Sequence, residues 1–526
     1  MTKNLDGFYY NLAGGVNLSK SKVGLGIDSR KLYWDDSFNI EPLKNQGVRS
    51  QKGNRLLIKL KEQEKILGIF EFPKHSKSFV FVTQEGKIYY YSGTTKNVTL
   101  EKTLEQRVCE VNFAHFNDGV IILTDTNPVE FLKLNPRKVL ETIEAKNLEG
   151  KPLLTTKVAV YASRVWLASG STLYFSALGN QADWSTAQDA GYISKFFSST
   201  TEIIALCEYN GCLAIYKADG VYLLSGSNPD EFSISRFADI GAISPRSVLC
   251  DNNKQYFVNN NGVFALEQSG DLAQIALSDN IAHNIQPYFE KIDFERTRQT
   301  LALSRKIKNQ LWFFIPFKQV LNLCTVWIFD YFCGAWFKRV IPYEITTAAD
   351  VGGEILTGSA SGEIFIENTG NNFAGKPIEF RFSTPFFHLG LPNTRKIIEN
   401  LNFIFDEQAE NTFKFSVSKD YISEERTDIE FVNTLHPDTL IFVGGHSGEN
   451  GSFVESEEFQ DRFNSCWAAY DDDNIRSFLW ATTTEEAYRT EVFDSNLAVQ
   501  LHLEGSEPGD EFALVGIEFK EVMIDE

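Results

Sequence analysis

The sequence predicts an all-β protein: a β-propeller of about seven blades, with six or eight as the alternatives, carrying an extended N-terminal arm and a C-terminal antiparallel β-sandwich-like domain. Two observations lead there. A hairpin signature, in which two β-branched or aromatic runs flank a short turn and close on Ser or Gly, begins at 78, 119, 164, 211, 254, 310 and 354, at offsets of 41, 45, 47, 43, 56 and 44. Composition points the same way, because 43 Phe and 19 Tyr stand against 2 Met, and aromatic residues suit a pleated surface better than a helical bundle.

Three regions follow in order: 1–72 as arm and platform strands, 73–371 as the propeller, and 372–526 as an acidic C-terminal β-domain. The opening GFYYNLAGGVNLSKSKVGLG is Gly-rich and aperiodic and reads as an extended arm, one that must be tied down to be ordered. It could lie across a neighbouring subunit and add a strand to an exposed edge. The next segment reads as a short strand, a turn at Asn39 to Pro42, and a basic strand. Each hairpin then leaves room for one or two further strands before the next. The long fifth interval is accounted for by HNIQPYFEKIDFERTRQT, read as helical. The most apolar span, VLNLCTVWIFDYFCGAWF at 320–337, is interrupted by Asn322, Asp330 and Gly334 and reads as two buried strands about a turn, not a membrane helix. Trp166, Tyr174, Tyr216 and Tyr222 read as packing residues, not ligand contacts.

After residue 371 short runs of period-2 alternation predict the sandwich. The net charge is −20, and it is unevenly placed: residues 397–526 hold 30 Asp and Glu against 7 Lys and Arg, leaving about +3 for the rest. A chain of this charge has no basic face with which to read nucleic-acid sequence. The seven cysteines form no CxxC pair and are expected as free thiols buried in strands, in a reducing compartment. The N-terminus lacks the apolar core of a signal peptide.

Motifs for chemistry are sparse. The seven histidines show neither HxH nor HExxH spacing, so no metal ligands are assigned. GGHSGENG at 444–451 lacks the Lys-Ser/Thr ending of a phosphate loop and precedes an acidic segment, so it reads as a loop. Asp471, Asp472 and Asp473 lack the alternating spacing of a calcium loop. No catalytic residue and no cofactor is assigned.

Three stretches, in this order, resemble the tail nozzle or packaged-DNA stabilisation proteins of short-tailed bacteriophages. The first is Gly14-Gly15 followed by NIEPLKNQGVRSQKGNRLL. The second runs from RVWLASGSTLYFSALGNQADWS through IIALCEYNGCLAIYKADGVYLLSG to ISRFADIGAISPRSVLCDNNKQYFVNNNGVFAL, and the third is GKPIEFRFSTPFFHLGLPNTRKIIENLNF. The resemblance implies a non-enzymatic virion protein assembled in the host cytoplasm. Six copies would form a ring or short tube below the portal and its adaptor, contact distal tail proteins such as fibres, needle or spike, and retain and conduct double-stranded DNA without reading its sequence. An acidic lumen would let the duplex slide, which makes Asp471, Asp472 and Asp473 the candidate channel-lining residues. A propeller glycosidase or lyase acting as a depolymerase, and an intracellular interaction scaffold, are the alternative functions.

Overall fold

The computed structural model describes residues 7–21, 31–135, 138–186, 188–194, 200–318 without 270–273, 324–406, 413–428, 441–444, 452–454, 466–471, 474–479, 486–508 and 510–525. It divides into two units. One comprises Val16–Lys20 and Gln51–Ile378, the other Met1–Gly15, Ser21–Ser50 and Glu379–Glu526.

In the larger unit the strands fall into seven successive small sheets. The first six each contain four antiparallel strands in chain order, and they open with Ile66–Glu71, Val111–Phe116, Val158–Tyr161, Ile203–Tyr209, Val248–Asp251 and Leu301–Arg305. Every hairpin read from the sequence is a pair of adjacent strands, the central pair in the first six sheets, such as Phe79–Thr83 with Lys87–Ser92, and the second and third strands, Glu354–Ser359 with Glu363–Glu367, in the six-stranded seventh. The expected β-propeller of about seven blades is nevertheless corrected. Hydrogen bonding distributes the strands among separate sheets, and none of them is closed or curled into a propeller or barrel. Hairpin spacing reports which strands are neighbours in sequence, and it holds no information on closure.

Neighbouring sheets are related by packing of apolar faces, because a four-stranded sheet buried on one face alone would leave the other wet. Val80, Val82, Val120 and Ile122 join the first sheet to the second. Trp166, Phe175, Leu213 and Tyr222 join the third to the fourth, and Tyr216, Val221, Phe257 and Leu266 the fourth to the fifth. Trp166 and Tyr216 are fully buried, with Tyr222 and Tyr174 nearly so. The apolar span at 320–337 forms Cys324–Asp330 and Ala335–Ile341, two buried strands about a turn. The segment read as helical is helical in part, with a four-residue α-helix at Gln286–Phe289 and 3-10 turns at His283–Ile285 and Thr297–Gln299.

The seventh sheet borrows its fourth strand. Ile345–Val351, Glu354–Ser359 and Glu363–Glu367 are followed by Asn54–Lys59, antiparallel to Glu363–Glu367. A buried ion pair fixes this graft. Arg339 donates from Nη2 to Glu367 Oε2 at 2.7 Å and from Nε to the same oxygen at 3.2 Å, with both side chains fully buried. Its remaining donors reach the Lys52 carbonyl at 2.7 Å, the Gly53 carbonyl at 2.9 Å and Gln51 Oε1 at 3.2 Å. Glu367 Oε1 accepts from Thr357 Oγ1 at 2.7 Å and Asn54 Nδ2 at 3.1 Å. Phe373 lies 4.6 Å from the guanidinium. A Cβ on Gly53 would sit 1.9 Å from the Asn372 carbonyl oxygen, so no side chain fits there.

In the smaller unit Ala513–Ile524 pairs with Lys396–Phe405, Val48–Ser50 and Gly7–Tyr9. The arm's first strand is therefore added to a strand of its own chain. Ile40–Pro42 is a strand paired with Val48–Ser50, and the turn expected at Asn39 to Pro42 lies instead at Leu43–Gly47, where the Leu43 amide donates to the Gly47 carbonyl at 2.8 Å. Pro42 has no N–H to offer a ladder, which is tolerable at a strand end. A second sheet takes Phe380–Ser383, Val499–Gly505, Lys414–Lys419 and Thr427–Asp428. A third includes Ile441–Gly444 running parallel to Cys466–Asp471. These separate sheets, one with a parallel pair and one incorporating N-terminal strands, replace the expected antiparallel sandwich-like domain.

Two outcomes are expected. Arg339→Met or Glu367→Gln leaves a buried charge or acceptor without its partner and costs about 3–5 kcal/mol in denaturant unfolding, whereas the double replacement Arg339→Met with Glu367→Leu recovers part of that loss. The two-residue turn Ala162-Ser163 has φ of 49° and 54°, the left-handed geometry elsewhere given to Asn210-Gly211. Replacing it by Asn-Gly should raise stability by roughly 1 kcal/mol on the same measurement.

Candidate functional site

The segments that lead into the first strands of the seven sheets bring charged side chains together within the larger unit. Lys65, Glu110, Lys157, Glu202 and Glu344 each stand one residue before a first strand, with Arg246 and Arg298 two and three residues before theirs. Lys65 Nζ lies 3.5 Å from Glu344, which also faces Arg296 at 3.9 Å. Arg298 faces Glu202 at 3.3 Å and Glu110 at 3.9 Å, and Lys157 pairs with Glu202. Thr156 Oγ1 donates to Glu110 at 3.3 Å. Arg246 spans furthest, donating from Nη1 to the Leu67 carbonyl at 3.0 Å and to Thr347 Oγ1 at 3.2 Å, so that one guanidinium from the fifth sheet meets the first and the seventh.

Burial lowers the Arg246 pKa to about 10, against the pull of Glu110, and leaves it charged at neutral pH. Burial pushes Glu202 up, but the hydrogen bond from Lys157 and the nearby Arg298 outweigh it and hold its carboxyl below the usual range. Each acid in this set has a basic neighbour, so the cluster presents mutually satisfied charges and no activated base.

A second feature is a cleft of about 770 Å3 lined by Lys74, His115, Asn117, Tyr161, Ser163 and Glu208 among others. His115 sits against Phe70, with ring centroids 4.6 Å apart, and against Phe72 at 6.1 Å. Desolvation lowers its pKa to about 4, Lys74 and His75 add to the effect and Glu71 opposes it, so the imidazole is neutral at pH 7. Tyr161 donates to the Gly226 carbonyl at 2.6 Å. Its pKa is raised by burial first, then by Cys212 and Glu208. The cleft offers hydrogen-bonding groups without a nucleophile set against a base.

In the smaller unit His502 is buried between two hydroxyls, with Nδ1 2.9 Å from Ser383 Oγ and Nε2 3.0 Å from Ser418 Oγ. All three residues are almost wholly inaccessible, which makes this a satisfied core histidine. Asp471 ends the strand Cys466–Asp471 opposite Asn474. Asp472 and Asp473 lie outside the described residues, as does most of the glycine-rich loop at 444–451. Among the described residues no three His, Cys, Asp or Glu side chains gather as a metal site. No described helix is long and apolar enough to cross a membrane. Cys109 and Cys250 are exposed and Cys207, Cys212, Cys324 and Cys333 half-buried, against the expectation of buried thiols.

The sequence reading overlooked the charged cluster because no single repeat displays it. Aligning the repeats on their first strands would have exposed it as a charged residue directly before five of the seven.

No protein-family model matches the chain, and no curated protein matches it. Among solved structures it is similar to a chain of the Mitotic Checkpoint Complex, at 10% identity over 61% of this chain and 95% of that one, with a TM-score of 0.40. It is similar to the computationally designed Ika8 protein at 12% identity over 61% and 100%, with a TM-score of 0.36. A third likeness is to a catalytically inactive variant of virginiamycin B lyase from Staphylococcus aureus with quinupristin, at 10% identity over 60% and 99%, with a TM-score of 0.40. At these scores none of the three carries an argument about this chain.

The His115 environment generates a pH test. A folded-state pKa near 4, against an ordinary 6.5, stabilises the fold fully above about pH 6.5 and progressively less as pH falls toward 4. The denaturant midpoint of the native chain should fall across that window, and His115→Gln should flatten the fall.

Proposed function

We propose that this chain is a structural protein of a bacteriophage tail. Six copies assemble as a ring or nozzle below the portal and its adaptor, retain packaged double-stranded DNA, and conduct it during ejection. The observation that carries the reading is where the three phage-like stretches fall. The first, 39–57, supplies the Ile40–Pro42 and Val48–Ser50 pair and enters the grafted strand Asn54–Lys59. The second spans hairpins of the third to fifth sheets, and the third contains Phe380–Ser383 and most of Lys396–Phe405. The resemblance thus lies on strands that build the sheets, and its second stretch also contributes Glu208, Gly211 and Gly226 to the cleft wall. A construction held by buried polar clasps and mutually paired charges suits a load-bearing ring, and the acid excess after residue 397 suits a lumen that repels phosphate.

The localisation that follows is the virion tail, with portal, adaptor and distal tail proteins as neighbours. The full-length chain mixed with portal and adaptor should give six-fold particles with a central hole in electron microscopy. A chain that stays monomeric in that mixture, or that clears host polysaccharide, overturns the reading. Changing Asp471, Asp472 and Asp473 to Lys should slow DNA release from particles; an unchanged rate removes these residues from the channel wall.

A further inference from the structure

Two thiols from neighbouring sheets face each other in the larger unit. Cys207 lies on Ile203–Tyr209 and Cys250 on Val248–Asp251, with their sulfurs 3.6 Å apart. Both lie within reach of the Glu208 carbonyl, at 3.7 Å and 3.6 Å. Gln255 Nε2 donates to Cys250 Sγ at 3.3 Å, and is itself held by Tyr216, whose hydroxyl donates to Gln255 Oε1 at 2.6 Å. Cys250 is exposed and Cys207 half-buried. The arrangement is that of an accessible attacking thiol backed by a resolving one.

We propose that Cys207 and Cys250 form a redox-active dithiol, which small-molecule disulfides convert to an intrachain bridge between the fourth and fifth sheets. The Cys250 thiolate attacks one sulfur of the small disulfide, forming a mixed disulfide and expelling one small thiolate. Cys207 loses its proton to solvent and attacks the Cys250 sulfur, expelling the second. Two protein S–H bonds are replaced by one S–S bond, the small disulfide takes up the two electrons and becomes two thiols, and protons balance through solvent. The hydrogen bonds that Cys250 receives from Cys207 and Gln255 favour its thiolate, drawing its pKa down, while sharing a proton with Cys250 and burial push Cys207 up. That asymmetry assigns the attacking role to Cys250.

The proposal stands independently of the tail reading, since its readout is a covalent bond within one chain. Full-length protein is incubated with oxidised glutathione, digested without reduction and mapped by mass spectrometry. The expected result is a Cys207–Cys250 linked peptide that dithiothreitol removes, together with an upward shift in the denaturant midpoint. Cys207→Ser should abolish the link and trap one glutathione on Cys250, while Cys109→Ser should leave the link unchanged. Separate glutathione adducts on Cys207 and Cys250, or both thiols remaining free while exposed Cys109 is modified, would overturn the proposal.

Discussion

The larger unit depends on one guanidinium. Removing Arg339 and Glu367 from water is costly, and their attraction alone would not offset it reliably. What makes the pair tenable is that the main donors of Arg339 are directed to Glu367 and to Gln51, Lys52 and Gly53, and that Glu367 keeps two further donors on its other oxygen. A lysine ammonium could not replace it, because a point charge has no planar fork to divide between a carboxylate and two backbone carbonyls. Arg339 belongs to the sixth sheet, Glu367 to the seventh, and Gln51 to Asn54 precede the first. One side chain therefore holds the two ends of a succession some three hundred residues long.

The charged cluster at the leading ends of the first strands works differently. Its members are mostly half-exposed, so each pair contributes about 0–1 kcal/mol. The apolar seams between sheets supply the larger stabilisation. The cluster contributes direction: acids and bases largely alternate along the succession, and a sheet displaced by one place would set like charges against each other. Arg246, reaching both Leu67 and Thr347, is the member whose loss would be felt in three sheets together.

Local structure was legible where turn chemistry and period agreed. Asp219-Gly220, Ser361-Gly362 and the runs beside them announce hairpins, and each hairpin stands where the sequence places it. Partners remote in sequence were not legible. Nothing in NRLLIK says that it pairs with EIFIE, and nothing in GFY says that it lies along Ile517–Phe519, because a β-ladder is made by backbone groups that every residue shares. The arrangement of whole sheets was hidden for the same reason, and Pro42 gave a turn signal within a strand. Of the candidate site, the individual charges were visible but their convergence was not, since it exists only after seven segments have been superposed. The Cys207–Cys250 pair lies 43 residues apart, close to one repeat interval, a coincidence of spacing that could have suggested their proximity.

The graft of Asn54–Lys59 into the seventh sheet sets an order of events during synthesis. Its partner strand, Glu363–Glu367, leaves the ribosome some three hundred residues later, on the order of 15–60 s at about 5–20 residues per second. Through that interval the segment has no ladder to join, while the hairpins between can form as they emerge. The last step of the larger unit's folding is therefore the return of one of its earliest strands, and the nascent chain carries an unpaired edge until then.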